Sequence, residues 1–204
     1  MSRVGILGGT FNPPHLGHLL CADAALTQAG PDRVLLMPVS SPPHKQLRDD
    51  PGPEIRLRLC ELAVAADDRI AVSDIELRRG GTSYTVDTLR ELERSSPEDE
   101  PVLIVGGDVA QGLPSWREPE AILALAGLVV AEREGIRRQD VLDRVADLAG
   151  SERIEFIDMV RFDVSSSSVR RRVAMGESIR YLVPEPVRAE IESNRWYTKG
   201  RPDA

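Results

Sequence analysis

Short apolar, β-branched runs alternate along the chain with longer stretches in which apolar side chains recur at helical spacing. The short runs predict strands over residues 3–7, 33–38, 70–72, 102–105, 128–131 and 154–156. The longer stretches predict helices over 17–29, 54–66, 86–94, 119–125, 139–149, 167–174 and 186–194. Strands alternating with helices predict an α/β domain built on a mostly parallel central sheet with helices flanking it. Sheets of that kind take ligands at the carboxyl ends of their strands, where the strand order reverses. Between the elements, residues 40–54 are polar and proline-rich and read as a long loop. Residues 94–101 read as an acidic, solvated loop, and the last seven residues as a frayed tail.

The chain has 204 residues, enough for one domain with a filled core, and we read it as a single domain over 1–204 with a helical portion from about residue 165. A net charge of −7 argues against a nucleic-acid partner, because neutralising phosphates non-specifically requires an excess of Lys and Arg. An acidic protein can still hold an anionic small molecule where a few positive groups are focused. Two cysteines, Cys21 and Cys60, cannot form a disulfide framework or a CxxC metal pair. The longest apolar run, "AILALAGLVVA", is too short for a bilayer span. These features predict a soluble, cytoplasmic protein with no membrane partner. The sequence leaves homo-oligomerisation open.

The chemistry concentrates after the first predicted strand, in "VGILGGTFNPPHLGH". Gly8 and Gly9 allow a close approach of backbone to ligand. No GxGxxG fingerprint follows, and the GxxxxGK[ST] phosphate loop is absent. His15 and His18, two of only three histidines, stand three apart at the start of a predicted helix and so share one face. Gly17 between them leaves room for a ligand. With the positive end of the helix dipole, the pair makes a phosphate site with two imidazole donors. Structural capping competes with this reading. So does zinc, which would need His44 and further ligands to complete a site.

Four further stretches add groups of the right kind. In "VSSSSVRRR", Ser165 or Ser166 can cap a helix whose start and Arg170 would face phosphates. In "PPHK", His44 and Lys45 follow the second strand and add local positive charge. "TSYTVDTL" opens a helix with backbone N–H groups at Thr85 and Val86 available to an anion. "LIVGGD" ends a buried strand with Gly106, Gly107 and Asp108, and Asp108 could cap the next helix.

"GGTFNPPHLGH", residues 8–18, resembles the signature of the HxGH nucleotidyltransferase superfamily, and more narrowly that of bacterial nicotinate-nucleotide adenylyltransferases. Phosphopantetheine adenylyltransferases are similar but usually carry Thr where His15 stands, and cytidylyltransferases share HxGH without the preceding TFNPP. "VSSSSVRRR" resembles the family's ISSTxIR motif, with Ser167 in place of Thr and Arg170 in the place of Arg. The resemblance runs through four motifs from Gly8 to Arg170 and implies a Rossmann-like nucleotidyltransferase fold. It implies adenylyl transfer from ATP to nicotinate mononucleotide with release of pyrophosphate, and Mg²⁺ bound with the ATP phosphates.

His18, His15 and Arg170 are the implied catalytic residues. The ATP site is expected to comprise Gly8, Gly9, Thr10, Phe11, His15, His18, Gly106, Asp108, Ser166, Ser167 and Arg170. Asn12, His44, Lys45, Thr85 and Trp116 are expected to bind nicotinate mononucleotide, with Trp116 of "LPSWRE" stacking on the pyridine. Free N–H groups at Thr85 would favour a carboxylate over a carboxamide, which presents NH₂ to the same donors. No metal site made of protein side chains is expected. Nicotinamide mononucleotide or phosphopantetheine as the acceptor, and a non-catalytic nucleotide-sensing module, remain the alternatives.

Overall fold

The computed structural model describes residues 1–43, 47–132 and 138–198. The strands are β1 (Ser2–Gly9), β2 (Arg33–Pro38), β3 (Ile70–Val72), β4 (Asp99–Gly106), β5 (Gly127–Glu132) and β6 (Ile154–Asp158). They form one sheet in the order β3-β2-β1-β4-β5-β6. Every pairing is parallel. The expected mostly parallel sheet is thus wholly parallel among the described residues. Its order reverses between β1 and β4, which opens a crevice above their carboxyl ends.

The helices are α1 (Leu16–Gln28), α2 (Pro53–Val64), α3 (Ile75–Arg79), α4 (Thr85–Ser95) and α5 (Gly107–Gln111). They continue with α6 (Pro119–Leu125), α7 (Arg138–Val145), α8 (Ser166–Ala174) and α9 (Glu185–Asn194). Two apolar cores lie on the two faces of the sheet. Val102, Ile104 and Val129 point to one face, with Ala22 and Ala25 of α1, Leu59 of α2 and Ile191 of α9. Leu103, Val105 and Val130 point to the other, with Leu89 of α4, Ile122 of α6 and Val141 of α7. Because β4 is buried on both sides, its apolar residues run continuously instead of alternating. No described helix is long and apolar enough to cross a membrane.

Three expectations need correction. Residues 99–101 belong to β4, with Asp99 opposite Ser2 and Pro101 opposite Val4, so only 96–98 separate α4 from the strand. Those polar side chains sit at the solvated entry of the strand, where backbone pairing persists without apolar alternation. The helix expected over 139–149 ends at Val145, and Gly150 adopts a left-handed φ of 91°. Helices α3 and α5, five residues each, were not expected, because one turn is too short to display a helical period.

Candidate active site

The glycines of the first motif close β1 beside the crevice. A Cβ built on Gly8 would meet nothing within 4 Å, so this backbone is open to a ligand. Gly9 is needed for a different reason: a Cβ there would lie 3.1 Å from the Phe11 ring. Phe11 has a left-handed φ of 49° and is 2% exposed. Its side chain therefore belongs to the core. The ring meets the His18 imidazole edge-on, with centroids 4.8 Å apart.

His15 is the N-cap residue of α1 and is buried. Its backbone N–H donates to His18 Nδ1 at 3.1 Å. The two imidazoles stack with centroids 3.7 Å apart and planes 27° from parallel. With Nδ1 of His18 accepting, Nε2 is the ring nitrogen left to donate. Face-to-face rings do not converge their nitrogens on one cation as zinc ligands would. Gly17 makes room for His15 itself, since a Cβ on Gly17 would come within 3.0 Å of His15 Nδ1. Leu16 N–H is taken by the Leu182 carbonyl at 3.0 Å, so this helix start offers fewer N–H groups than its spacing predicts.

The serine motif docks directly onto this turn. Ser165 is the cap of α8: its hydroxyl accepts from Ser168 N–H at 3.1 Å. Ser166 Oγ donates to the Pro13 carbonyl at 2.8 Å, and Arg170 Nη1 donates to the Asn12 carbonyl at 2.7 Å. Arg170 Nη2 lies 3.3 Å from Ser167 Oγ, whose residue is exposed. The start of α8 is thereby held against the segment that carries His15 and His18. Asn12 is itself 2% exposed, with Nδ2 donating to the Arg48 carbonyl at 3.3 Å.

A cleft of about 290 Å³ opens on the other side of Gly8, Gly9 and Thr10. Thr85 and Trp116, both expected at the acceptor's site, are among the residues that line it. The α4 start is set by the loop after β2: Ser41 bridges to Thr82, Ser83 N–H donates to the Ser41 carbonyl at 2.8 Å, and Ser40 N–H donates to Ser83 Oγ at 3.0 Å. Tyr84 caps the helix, and Asp87 N–H makes the first helical bond, to the Tyr84 carbonyl at 3.1 Å. The N–H groups of Thr85 and Val86 precede that bond. Arg117 lies over the Tyr84 ring at 4.9 Å and pairs with Asp87 at 3.3 Å. At the end of β4, Asp108 is exposed. Gly106, not Asp108, is the cap of α5, and a Cβ on Gly106 would collide with Asp108 Oδ1 at 2.8 Å.

Sequence reasoning missed several of the residues that shape this region. Glu76 of α3 lines the cleft at 6% exposure and accepts the Thr88 hydroxyl at 2.6 Å, while Arg79 donates to the same hydroxyl at 2.8 Å. Arg56 is wholly buried below the loops. Its position was legible, since 56, 59, 60 and 63 share one helical face, which makes an inward arginine conspicuous. His44 and Lys45 lie outside the described residues. Among the described residues, no group of three or more His, Cys, Asp or Glu stands together as a metal site.

Residues 6–172 match the cytidylyltransferase-like family model. A probable nicotinate-nucleotide adenylyltransferase of Shouchella clausii is 40% identical over 197 residues, covering 97% of each chain. One of Geobacter metallireducens is 40% identical over 216 residues, covering 98% of this chain and all of the relative. Among solved structures, a Plasmodium falciparum nicotinic acid mononucleotide adenylyltransferase complexed with NaAD superposes with a TM-score of 0.79 at 16% identity, over 97% of this chain and 98% of that one. At that identity the likeness carries the fold. A nicotinate-nucleotide adenylyltransferase described as putative, from Vibrio parahaemolyticus, gives a TM-score of 0.70 over 98% and 97% of the two chains. The near-complete relatives, the matched family model and the HxGH turn at the sheet crevice place the chain in the cytidylyltransferase-like family, among its nicotinate-nucleotide adenylyltransferases.

Proposed function

We propose that this enzyme transfers the adenylyl group of ATP to nicotinate mononucleotide, giving deamido-NAD and pyrophosphate, with the whole chain acting as one cytoplasmic catalytic domain. The observation that carries the reading is the docking of the α8 start onto the histidine turn, through Ser166 to the Pro13 carbonyl and Arg170 to the Asn12 carbonyl. Two phosphate-type helix starts thus converge beside a cleft lined by an aromatic ring and a third helix start.

The acceptor's phosphate is ionised at neutral pH, so its oxygen attacks the α-phosphorus in line without a protein base. Catalysis is then positioning and stabilisation of charge. His18 Nε2 donates to the α-phosphate as charge builds there. His15, stacked against it, holds the neighbouring phosphate, and Gly8, Gly9 and Thr10 bring backbone close to the triphosphate. Ser167 and Arg170 stabilise the departing pyrophosphate, and Asp108 and Gly106 meet the adenosine ribose. Asn12, Lys45 and His44 bind the acceptor's phosphate end. Trp116 stacks on the pyridine, and the N–H groups at the α4 start receive the carboxylate. Among the described residues no cluster of His, Cys, Asp or Glu would hold a resident metal; in this reading Mg²⁺ comes with the ATP phosphates as part of the substrate.

The decisive experiment offers nicotinate mononucleotide, nicotinamide mononucleotide and phosphopantetheine separately with magnesium-ATP and follows pyrophosphate. Turnover fastest with nicotinate mononucleotide is expected. Faster turnover with either other acceptor would replace the substrate, and no turnover with any would leave a nucleotide-sensing module.

A further inference from the structure

Among the described residues Arg56 is the one arginine in the buried core, 0% exposed, and its guanidinium is spent largely on the backbone of two different loops. Nη1 donates to the Thr10 carbonyl at 3.0 Å and to the Val39 carbonyl at 2.7 Å. Nη2 donates to the Ser40 carbonyl at 3.0 Å, and Nε to Asp50 Oδ1 at 3.0 Å. Thr10 leaves β1 toward the histidine turn, whereas Val39 and Ser40 leave β2 toward the acceptor side. A buried charge is unfavourable unless its donors are met, and an apolar residue of similar volume would serve packing at least as well. Here the donors are met by carbonyls from both sides of the crevice.

The contacts run onward from each carbonyl. Thr10 precedes Phe11, whose left-handed backbone seats its ring on Gly9 and edge-on to His18. Ser40 N–H donates to Ser83 Oγ, one residue before the cap of α4. One rigid fork therefore sets the separation between the residue proposed to meet the α-phosphate and the helix start proposed to meet the acceptor. Lysine cannot replace it, because a single ammonium lacks the planar spread of donors.

We propose that Arg56, oriented by Asp50, is a positioning residue that couples the ATP loop to the acceptor loop; this rests on the adenylyl-transfer reading above. It touches neither substrate and acts through the Thr10 and Ser40 carbonyls. Removing it leaves each substrate bound but misaligned, so kcat suffers more than either KM.

The test measures steady-state kinetics of wild type, Arg56→Lys, Arg56→Ala and Asp50→Asn, each checked for cooperative thermal unfolding. Arg56→Lys is expected to lower kcat by roughly 10- to 100-fold with both KM values moving far less. Asp50→Asn is expected to shift kcat in the same direction by a smaller factor. Guanidinium ion at millimolar concentration should restore part of the activity of Arg56→Ala, and ammonium ion should not. A merely structural role predicts neither the kcat-against-KM split nor that selective rescue. A folded Arg56→Lys with wild-type kcat overturns the proposal, as does a loss seen only in KM. If neither Arg56 variant folds, unchanged kcat in Asp50→Asn overturns it. Wild type inactive on nicotinate mononucleotide would instead sink the functional reading on which the proposal rests.

Discussion

The His15 backbone nitrogen lies 3.1 Å from Nδ1 of His18 and donates to it, so the residue that opens α1 aims the ring three positions on. On the proposed mechanism His18→Ala removes a donor to the phosphate undergoing attack, and it also frees the cap N–H. Loss of one such donor lowers kcat by about 10²- to 10³-fold. KM for ATP should change little, and thermal stability should fall by about 1 kcal/mol from the weakened helix start. Pyrophosphate-release kinetics at saturating acceptor check this. A change confined to KM would make His18 a ground-state contact.

Gly17→Ala tests why a glycine interrupts the two histidines. Alanine favours a helix interior by up to about 1 kcal/mol over glycine, so local propensity alone predicts a more stable protein. The new Cβ would sit 3.0 Å from His15 Nδ1 and 3.1 Å from its Cε1, and the imidazole must move by a few tenths of an ångström. The expected outcome is near-unchanged melting with a clear drop in kcat. Full activity in Gly17→Ala would show that the stacked His15 position does not matter to turnover.

Much of this architecture is legible in the sequence because its signals are local. The β1–Gly-Gly–His turn, the Ser165 cap and the continuous apolar run of β4 each announce themselves within a few residues. What stays hidden depends on contacts across the chain. Nothing near Phe11 says that its ring turns inward to back His18 instead of facing ATP. Glu76 sits in a single-turn helix that has no readable period, yet it braces α4 through Thr88. The inward position of Arg56 follows from its helical face, but its partners do not: Thr10, Val39 and Ser40 are brought to it from 46, 17 and 16 positions away. Gly17 was read as leaving room for a ligand, and the atom that needs the space is His15's own ring.

Thr88→Val tests the brace beneath the acceptor cleft. The substitution keeps the shape and removes the hydroxyl that donates to Glu76 at 2.6 Å and accepts from Arg79 at 2.8 Å. Leaving a buried carboxylate without that donor costs about 1–3 kcal/mol. Because the same bond anchors α4 close to Thr85, KM for nicotinate mononucleotide should rise while KM for ATP holds. Chemical denaturation and paired substrate titrations measure both effects. Equal shifts in the two KM values would place the brace outside acceptor binding.

Tyr197 supplies a test in alkaline solution. Burial, with Asp50 nearby, pushes its phenol well above the ordinary value of 10.0, against the opposing pull of Arg170 and Arg56. Its hydroxyl is buried with no hydrogen-bond partner among the described residues. Below pH 10 both folded and unfolded chains keep the phenol neutral, so the full stability is present. Above pH 10 the unfolded chain releases a proton that the folded chain retains, and stability falls as pH rises toward the elevated folded pKa. Tyr197→Phe removes this contribution. At pH 7 its stability should equal or exceed wild type, by up to about 1 kcal/mol, since an unsatisfied buried polar atom is gone. At pH 11 the gap in its favour should widen, the other tyrosines being common to both proteins. Urea denaturation at the two pH values decides it: parallel losses in both proteins would mean that Tyr197 ionises as readily folded as unfolded.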